Sequence, residues 1–300
     1  MQAVLFYLAY PFVYLVASLP FGAMYRLSDF FYYVIRLTGY RRKVVLKNLR
    51  NSFPEKSEKE ILSICESYYR YLCDLTLETF KTLKMSPEQA QYRCAFENPD
   101  WLKQLYEQKK SIIIVMGHYG NWEWAGPSFT LHTPYQLNVI YRPLSNPYFE
   151  KMLTGMRTKH GTKITPVKNT LRDMVANRNS ITATAFVADQ TATKRDAYWT
   201  TFLNQDTAVF TGPEKLAKKF GYTVVYMNVK RPKRGYYRVI PELMFDDPCS
   251  TADNEIMEAF TRRLEREILI DPTIWLWSHR RWKHKRKVNG TSVAEGPERI

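Results

Sequence analysis

The stretch Ser111-Ile-Ile-Ile-Val-Met-Gly-His118-Tyr-Gly-Asn-Trp-Glu123-Trp-Ala-Gly126 places a histidine and an acid directly after an apolar, β-branched run. Such a run predicts a strand, and His118 is then expected at its carboxyl end, where open α/β sheets bind their ligands. If a helix begins near Asn121, Glu123 lies in its first turn. It can then accept a hydrogen bond from Nδ1 of His118 and leave Nε2 free as a general base. A carboxylate five residues from a histidine also occurs by chance, so the spacing alone is compatible with two residues that have no joint function.

Short apolar runs recur along the chain and alternate with helix-like stretches. They lie at residues 111–116, 137–141, 181–187, 223–229 and 236–243. The alternation predicts an α/β fold with a mostly parallel sheet flanked by helices. Helices are expected at residues 57–83 and 254–270, which carry apolar residues at spacings of three and four. A shorter helix is expected at 211–221, with Thr211 and Glu214 spaced as a capping box and Gly221 as its terminator.

The first 25 residues contain no charged side chain, and this apolar run is long enough to span a bilayer of ~30 Å. The basic residues follow the run rather than precede it, which favours a retained anchor over a cleaved signal peptide. If the run spans, the rest of the chain faces the cytoplasm. Pro11 and Pro20 break the run, so a kinked or re-entrant insertion is equally compatible. We therefore expect a membrane anchor with a basic flank at 1–45, one catalytic domain at 46–287 and a mobile tail at 288–300.

The chain carries 44 basic and 29 acidic residues, for a net charge of +15. This excess predicts a polyanionic partner, for which nucleic acid, anionic lipid and an acidic carrier protein are candidates. Six of the eight residues at 280–287 are Lys or Arg, which suits acidic lipid headgroups or an acidic carrier. The usual sequence contexts of nucleic-acid binding are absent. Four scattered cysteines indicate neither a disulfide framework nor a zinc site, so no metal is expected.

Several motifs together resemble one family. The pattern from His118 to Glu123, a histidine, four residues and then an acid, resembles the signature of the lysophospholipid acyltransferase superfamily. Glutamate rather than aspartate as the acid resembles its lipid A branch, the late lauroyl and myristoyl acyltransferases. Tyr141-Arg-Pro143, Val187-Ala-Asp-Gln190 and Thr211-Gly-Pro213 resemble further blocks of that family in the same order. Trp275-Leu-Trp-Ser-His-Arg-Arg-Trp-Lys283 resembles its closing motif. The likeness covers almost the whole chain.

The resemblance implies a membrane-bound O-acyltransferase at the cytoplasmic side of a bacterial inner membrane. The acyl chain would arrive as a phosphopantetheine thioester, either acyl-ACP or acyl-CoA, without another cofactor, and an acyl carrier protein is the expected partner. His118 and Glu123 would be the catalytic residues, with His118 taking the proton of a lipid hydroxyl. Substrate contacts are expected from Arg142, Asp189, Asn121 and Gly120, because Arg142 suits a phosphate or oxyanion and Gly120 allows close backbone approach. A structural ion pair is the alternative for Arg142, and Asp189 could equally hold Arg142 or cap a loop. The remaining histidines are interpreted as surface or packing residues: His132, His160, His279 and His284.

Two alternatives stay open from the sequence. Residues 191–198 depart from the glycine- and aromatic-rich stretch that enterobacterial members carry there, so the acceptor could be an aminolipid or another glycolipid rather than a lipid A precursor. A different class of protein, a non-enzymatic basic adaptor that binds anionic lipid or nucleic acid, would have no need of His118 and Glu123.

Overall fold

The computed structural model describes residues 2–192 and 197–286. The expected mobile tail and Lys287, the last residue of the basic segment, lie outside the described residues. Within them, seven strands form one sheet in the order β1-β9-β8-β2-β5-β3-β4, and β6 and β7 form a separate antiparallel hairpin. The strands are β1 Cys94–Phe96, β2 Ile112–Met116, β3 Gln136–Tyr141, β4 Lys163–Pro166, β5 Thr182–Val187, β6 Ala197–Phe202, β7 Gln205–Phe210, β8 Thr223–Lys233 and β9 Tyr236–Phe245.

Helices cover the faces of the large sheet. They are α1 Gln2–Ser18, α2 Phe21–Thr38, α3 Arg42–Ser52, α4 Glu58–Lys81, α5 Pro87–Arg93, α6 Asp100–Glu107, α7 Trp122–His132, α8 Pro147–Thr158, α9 Thr170–Ala176, α10 Gly212–Phe220 and α11 Glu255–Ile270. The five predicted strands and the predicted long helices are therefore confirmed, with boundaries that differ by a few residues. α4 begins where Ser57 and Glu60 form a capping box, which satisfies two backbone N–H groups at its first turn.

The predicted mostly parallel sheet is confirmed, and it directs several loops to one edge. β8, β2, β5, β3 and β4 run parallel to one another. β9 is antiparallel to β8, and β1 runs with β9. Because five neighbouring strands point the same way, the loops that follow them converge at their carboxyl ends. All five residues of β2 are buried, so this strand lies at the centre of the core.

The predicted cap of α10 is only half correct. Gly221 adopts the left-handed conformation that ends the helix, with φ of 64°. The Thr211 side chain, however, makes no capping hydrogen bond. Glu214 instead accepts hydrogen bonds from the backbone N–H groups of Asn254 and Met257, at 2.6 and 3.1 Å. Glu214 thus holds the start of α11, a tertiary contact that local spacing does not reveal.

The N-terminal apolar run is divided between α1 and α2, with the break at Leu19 and Pro20. Pro11, which was expected to interrupt the run, lies inside α1. Val16, Met24 and Leu77 pack together, which joins both helices to α4. Among the helices of the described residues, none has both the length and the apolar character needed to cross a membrane.

Candidate active site

His118 and Asp189 meet at the carboxyl ends of two neighbouring parallel strands. Met116 pairs with Val187 at the ends of β2 and β5, and each functional residue lies two positions further on. Nδ1 of His118 lies 2.6 Å from Oδ1 of Asp189. The His118 side chain is 16% exposed and that of Asp189 is 3% exposed, so the pair combines a buried carboxylate with an accessible imidazole. This arrangement suits a base and its orienting acid.

The Asp189 carboxylate is held by three hydrogen bonds. Besides Nδ1 of His118, it accepts from the backbone N–H of His118 and from the indole N–H of Trp275, both at 2.8 Å to Oδ2. Burial alone would raise the pKa of Asp189, but the charge of His118 and these hydrogen bonds lower it to about 2. The carboxylate is therefore ionised at neutral pH. A Cβ at Gly117 would lie 2.7 Å from Leu264 and 3.3 Å from Asp189, so glycine there permits the close approach.

The expectation that Glu123 accepts the hydrogen bond from Nδ1 of His118 is wrong. Glu123 does lie in the first turn of α7, as predicted. Its carboxylate instead forms a bidentate pair with Arg157 of α8, at 2.9 Å to Nε and 2.5 Å to Nη2. Burial alone would lower the pKa of Arg157, but hydrogen bonds and charges from Glu123 and Glu150 raise it. Glu123, the acid that ends the motif five residues after His118, thus ties α7 to α8, whereas the loop after the neighbouring strand β5 supplies the partner of His118.

A cavity of about 390 Å³ opens beside His118 and continues between the sheet and α7. Polar residues at the carboxyl ends of the strands line one end of it, and the inner part is mostly apolar. The inner walls include Met116, Ala125, Gly126, Phe129, Leu137 and Val187. Glu123 and Arg157 also line the cavity. A space of this shape can hold a polar reacting group near His118 and an alkyl chain further in.

Gln190 and Trp122 contact the imidazole on its cavity side. The side-chain nitrogen of Gln190 lies 3.2 Å from Nε2 of His118. Because Nδ1–H donates to Asp189, Nε2 carries the lone pair that can accept this hydrogen bond. The indole of Trp122 packs edge-on against the imidazole, with ring centroids 4.9 Å apart. These contacts fix the ring so that Nε2 faces the cavity.

Arg142 lies where the sequence predicted a substrate contact. It follows β3 directly, is exposed and lines the cavity. Lys283 lines the same cavity and is also exposed. Neither side chain forms an ion pair with the described residues, so both charges remain available to an anion. A substrate contact of Arg142 stays a prediction.

The other expected substrate contacts face protein instead. Asp189 does not line the cavity, because its carboxylate is directed at His118 and Trp275. Asn121 is fully buried: its side chain caps α7 by accepting from the Trp124 N–H at 2.9 Å, and it donates to Glu78 at 2.8 Å. Both residues thus bind protein groups: Asp189 holds His118, and Asn121 caps α7.

Gly120 approaches the neighbouring strand rather than a substrate. Its φ is +61°, and a Cβ there would lie 2.3 Å from the carbonyl oxygen of Val229. Its own carbonyl oxygen accepts a hydrogen bond from the Tyr71 hydroxyl at 2.5 Å. The glycine therefore shapes the loop between β2 and α7 and presses it against β8.

His279 was interpreted as a surface or packing residue, but it lines the cavity. Its Nε2 lies 3.3 Å from the Thr191 hydroxyl. Burial lowers the pKa of His279 to about 4, so the imidazole is neutral at neutral pH. Nearby, Arg281 is 4% exposed, and its Nε and Nη1 have no hydrogen-bond partner among the described residues. Burial lowers the pKa of Arg281 to about 10, against the opposing charge of Asp189.

The sequence contained signals for part of what was missed. Asp189 and Gln190 follow an apolar strand in the same way as His118 does, so pairing of the two strands would have indicated their contact. His279 lies in the closing motif, which marked it as more than a packing residue. Arg157 gave no such signal, because nothing in its local sequence connects it to Glu123.

The chain is similar in sequence to several enzymes of lipid A biosynthesis. A palmitoleoyltransferase of lipid A biosynthesis from Escherichia coli K12 is 25% identical over 248 residues, which cover 81% of this chain and 79% of that protein. A lauroyltransferase of lipid A biosynthesis from the same organism is 24% identical over 278 residues, or 90% of this chain and 89% of that protein. A lipid A biosynthesis acyltransferase from Haemophilus influenzae is 25% identical, with 82% of this chain and 78% of that protein covered. The family model for these enzymes matches residues 1–284. The chain therefore belongs to the bacterial lipid A biosynthesis acyltransferase family.

Proposed function

We propose that this protein is a membrane-surface O-acyltransferase that moves a fatty acyl chain from a carrier thioester to a hydroxyl of a lipid A precursor or a related lipid. The observation that carries the proposal is the His118–Asp189 pair, with Nδ1 bonded to the carboxylate and Nε2 facing a cavity with an apolar interior. Family membership supports acyl transfer, and the names of the relatives support lipid A as the acceptor.

His118 acts as the general base in this mechanism. Nε2 takes the proton of the acceptor hydroxyl while that oxygen attacks the thioester carbonyl, and Asp189 stabilises the imidazolium that forms. The tetrahedral intermediate collapses by breaking the C–S bond, and His118 returns the proton to the departing thiolate. The products are the acylated acceptor and the free carrier thiol. Base assistance of this kind contributes about 10²- to 10⁴-fold in rate.

Glu123 and Arg157 form the wall of the cavity between α7 and α8. Their bidentate pair fixes the distance between these helices, and both side chains can contact the acceptor as it enters. Arg142 and Lys283 supply positive charge on the same cavity that no described residue pairs with, and this charge suits a phosphate on the acceptor or the oxyanion of the intermediate. In this proposal Glu123 has a positioning role, and His118 alone moves the proton.

In this proposal the N-terminal helices attach the protein to the membrane. α1 exposes a group of large apolar side chains to solvent: Val4, Leu5, Tyr7, Leu8, Tyr14 and Leu15. Aromatic and aliphatic side chains exposed in this way suit the interfacial region of a bilayer. The basic segment at 280–287 suits anionic headgroups or an acidic acyl carrier protein, and we propose that this carrier protein delivers the acyl chain.

The function is tested with purified protein, acyl-ACP or acyl-CoA as donor, and candidate acceptors dispersed in detergent. We expect acylation of a lipid A precursor by the unmodified protein and none by His118→Ala, with the carrier thiol released in equal amount. Ornithine and glycine lipids serve as competing acceptors. Mass spectrometry of lipids from a strain lacking the gene gives an independent check. A lipid A that keeps every acyl chain would rule out the lipid A precursor and leave the aminolipid alternative.

A further inference from the structure

The segment after β4 exposes an apolar stripe. Val167, Leu171 and Val175 are 40%, 45% and 46% exposed. They recur every fourth residue through the 3-10 turn Val167–Asn169 and α9, which places them on one face. Thr170 and Met174 face inward and are buried. We call Val167, Leu171 and Val175 the rim stripe.

Basic side chains accompany the rim stripe. Residues 163–178 contain four basic residues and one acidic residue. Lys163 pairs with Asp173, which neutralises both. Lys168 and Arg172 are exposed and make no hydrogen bond or ion pair with the described residues. An aliphatic stripe flanked by unpaired positive charge has the composition of a surface that binds anionic lipid headgroups.

The stripe borders the active site. Val167 lines the cavity, together with Arg142 from the loop after β3. β3 and β4 are parallel, so these loops leave the sheet at the edge where His118 and Asp189 lie. A surface that held the rim stripe would therefore also face the cavity mouth.

The apolar surface continues from the neighbouring loop and helix to α1. Leu144, in the loop after β3, is 46% exposed, and Tyr148 at the start of α8 is 38% exposed. The Tyr148 ring contacts the rings of Phe6 and Tyr7, with centroids 5.7 and 5.9 Å apart. Exposed apolar groups of α1 and those beside the cavity mouth are thus linked through α8.

We infer that the rim stripe inserts into the interface of an anionic phospholipid bilayer and holds the cavity mouth against the membrane. The inference rests on the proposed function, because a lipid acceptor could then pass from the bilayer to His118 without crossing water. It assigns α9 a role that neither the N-terminal helices nor the catalytic residues cover. α1 attaches the protein, and the rim stripe orients it.

A site-specific probe tests insertion directly. Cys65, Cys73 and Cys94 are buried, so Leu171→Cys in a Cys249→Ser background can be labelled with an environment-sensitive fluorophore. On vesicles of phosphatidylethanolamine and phosphatidylglycerol we expect a blue-shifted emission that nitroxide-labelled lipids quench. The same probe at Leu243→Cys, on β9 near the opposite edge of the sheet, should stay in water. Equal behaviour of the two probes, or no shift at position 171, would overturn the inference.

A matched pair of variants distinguishes the rim stripe from exposed apolar residues elsewhere on the surface. Leu171→Ser/Val175→Ser is compared with Leu243→Ser/Leu269→Ser, whose side chains are each 54% exposed and lie outside the rim stripe. We expect vesicle affinity and transfer to a vesicle-bound acceptor to fall by about tenfold or more in the first variant and to be unchanged in the second. Transfer in detergent should be equal in both. Equal vesicle binding by the two variants would contradict the inference.

Charge provides the last readout. Lys168→Gln/Arg172→Gln should weaken binding to phosphatidylglycerol-containing vesicles by roughly 30-fold. Binding that does not change would refute the role of these charges. Failure of the unmodified protein to acylate any acceptor in detergent would instead refute the proposed function, and the probe and vesicle-binding results would still decide whether the rim stripe inserts.

Discussion

Replacing Asp189 by asparagine tests its role as the orienting acid, because the side chain keeps its shape and loses only the carboxylate. Oδ2 of Asp189 accepts from the backbone N–H of His118 and from Trp275, and Oδ1 accepts from Nδ1 of His118. An asparagine keeps the first two hydrogen bonds only if its oxygen takes the place of Oδ2. Its NH₂ group then points at Nδ1, which must accept rather than donate. The imidazole proton moves to Nε2, and the base is lost.

The expected loss in rate follows from two effects. The first is the loss of negative charge: the Asp189 carboxylate, whose pKa the charge of His118 and its hydrogen bonds lower to about 2, stabilises the imidazolium, and a neutral amide does not. The wrong tautomer adds to it, up to the about 10²- to 10⁴-fold that a general base supplies. We expect kcat of Asp189→Asn to fall within that range. KM for the acyl donor should change little, because Asp189 does not line the cavity.

Steady-state transfer and nitrogen NMR of the imidazole provide the assay, with the thermal unfolding midpoint as the control for folding. Glu123→Gln is the comparison variant. Because Glu123 lines the cavity, Glu123→Gln could lose activity through a substrate contact, so activity alone does not distinguish the two acids. The His118 tautomer does: it should change in Asp189→Asn and stay the same in Glu123→Gln. The reasoning fails if Asp189→Asn keeps the proton on Nδ1 and most of its kcat, or if Glu123→Gln moves the proton.

Three further predictions concern the loop, the cavity and pH. Gly120→Ala should lower the free energy of unfolding by about 2 kcal/mol or more, because its Cβ would meet the Val229 carbonyl and its φ is +61°. Gly155→Ala, whose Cβ would have nothing within 4 Å, should be neutral or stabilising. Urea titrations measure both. Gly126→Leu adds four carbons to the cavity wall and should favour donors with shorter acyl chains. For the longest donor we expect the activation free energy from kcat/KM to rise by about 3 kcal/mol, measured across a donor series. An unchanged chain-length profile would place the acyl chain elsewhere. His279 has a pKa of about 4 against 6.5 when unfolded, so the unfolded chain binds the proton more readily and stability falls as pH drops from 6.5 to 4. After a discount for partial exposure, we expect the free energy of unfolding to fall by about 1 kcal/mol between pH 7 and pH 4.5 because of His279. In His279→Gln this part of the decrease should be absent.

The features that could be predicted from the sequence are those with a local cause. The apolar run before His118 predicts a buried strand wherever that strand lies in the sheet, and the capped, periodic segment after Ser57 predicts α4. The position of His118 at a strand end follows from the same local pattern. These elements need no knowledge of their neighbours.

The pairing of the site depends on strand order, which local patterns do not specify. β5 lies next to β2 although β3 and β4 intervene in the chain, so Asp189 comes 71 residues after His118 and still contacts it. Glu123, five residues from His118, is drawn to Arg157 on α8 instead. Asn121 was misjudged for the same reason, because the buried Glu78 that accepts its hydrogen bond lies on α4.

The pairing of β2 with β5 brings together two residues of the active site, His118 and Asp189, that lie far apart in the chain. The turn between α9 and β5 contains exposed residues at 178–180, so the chain can be opened there with little disturbance to the core. His118 would then belong to one fragment and Asp189 to the other. Neither fragment alone would hold an oriented base, and activity would report reassociation of the two strands. The same geometry that separates the pair in sequence thus makes this enzyme suitable for fragment complementation.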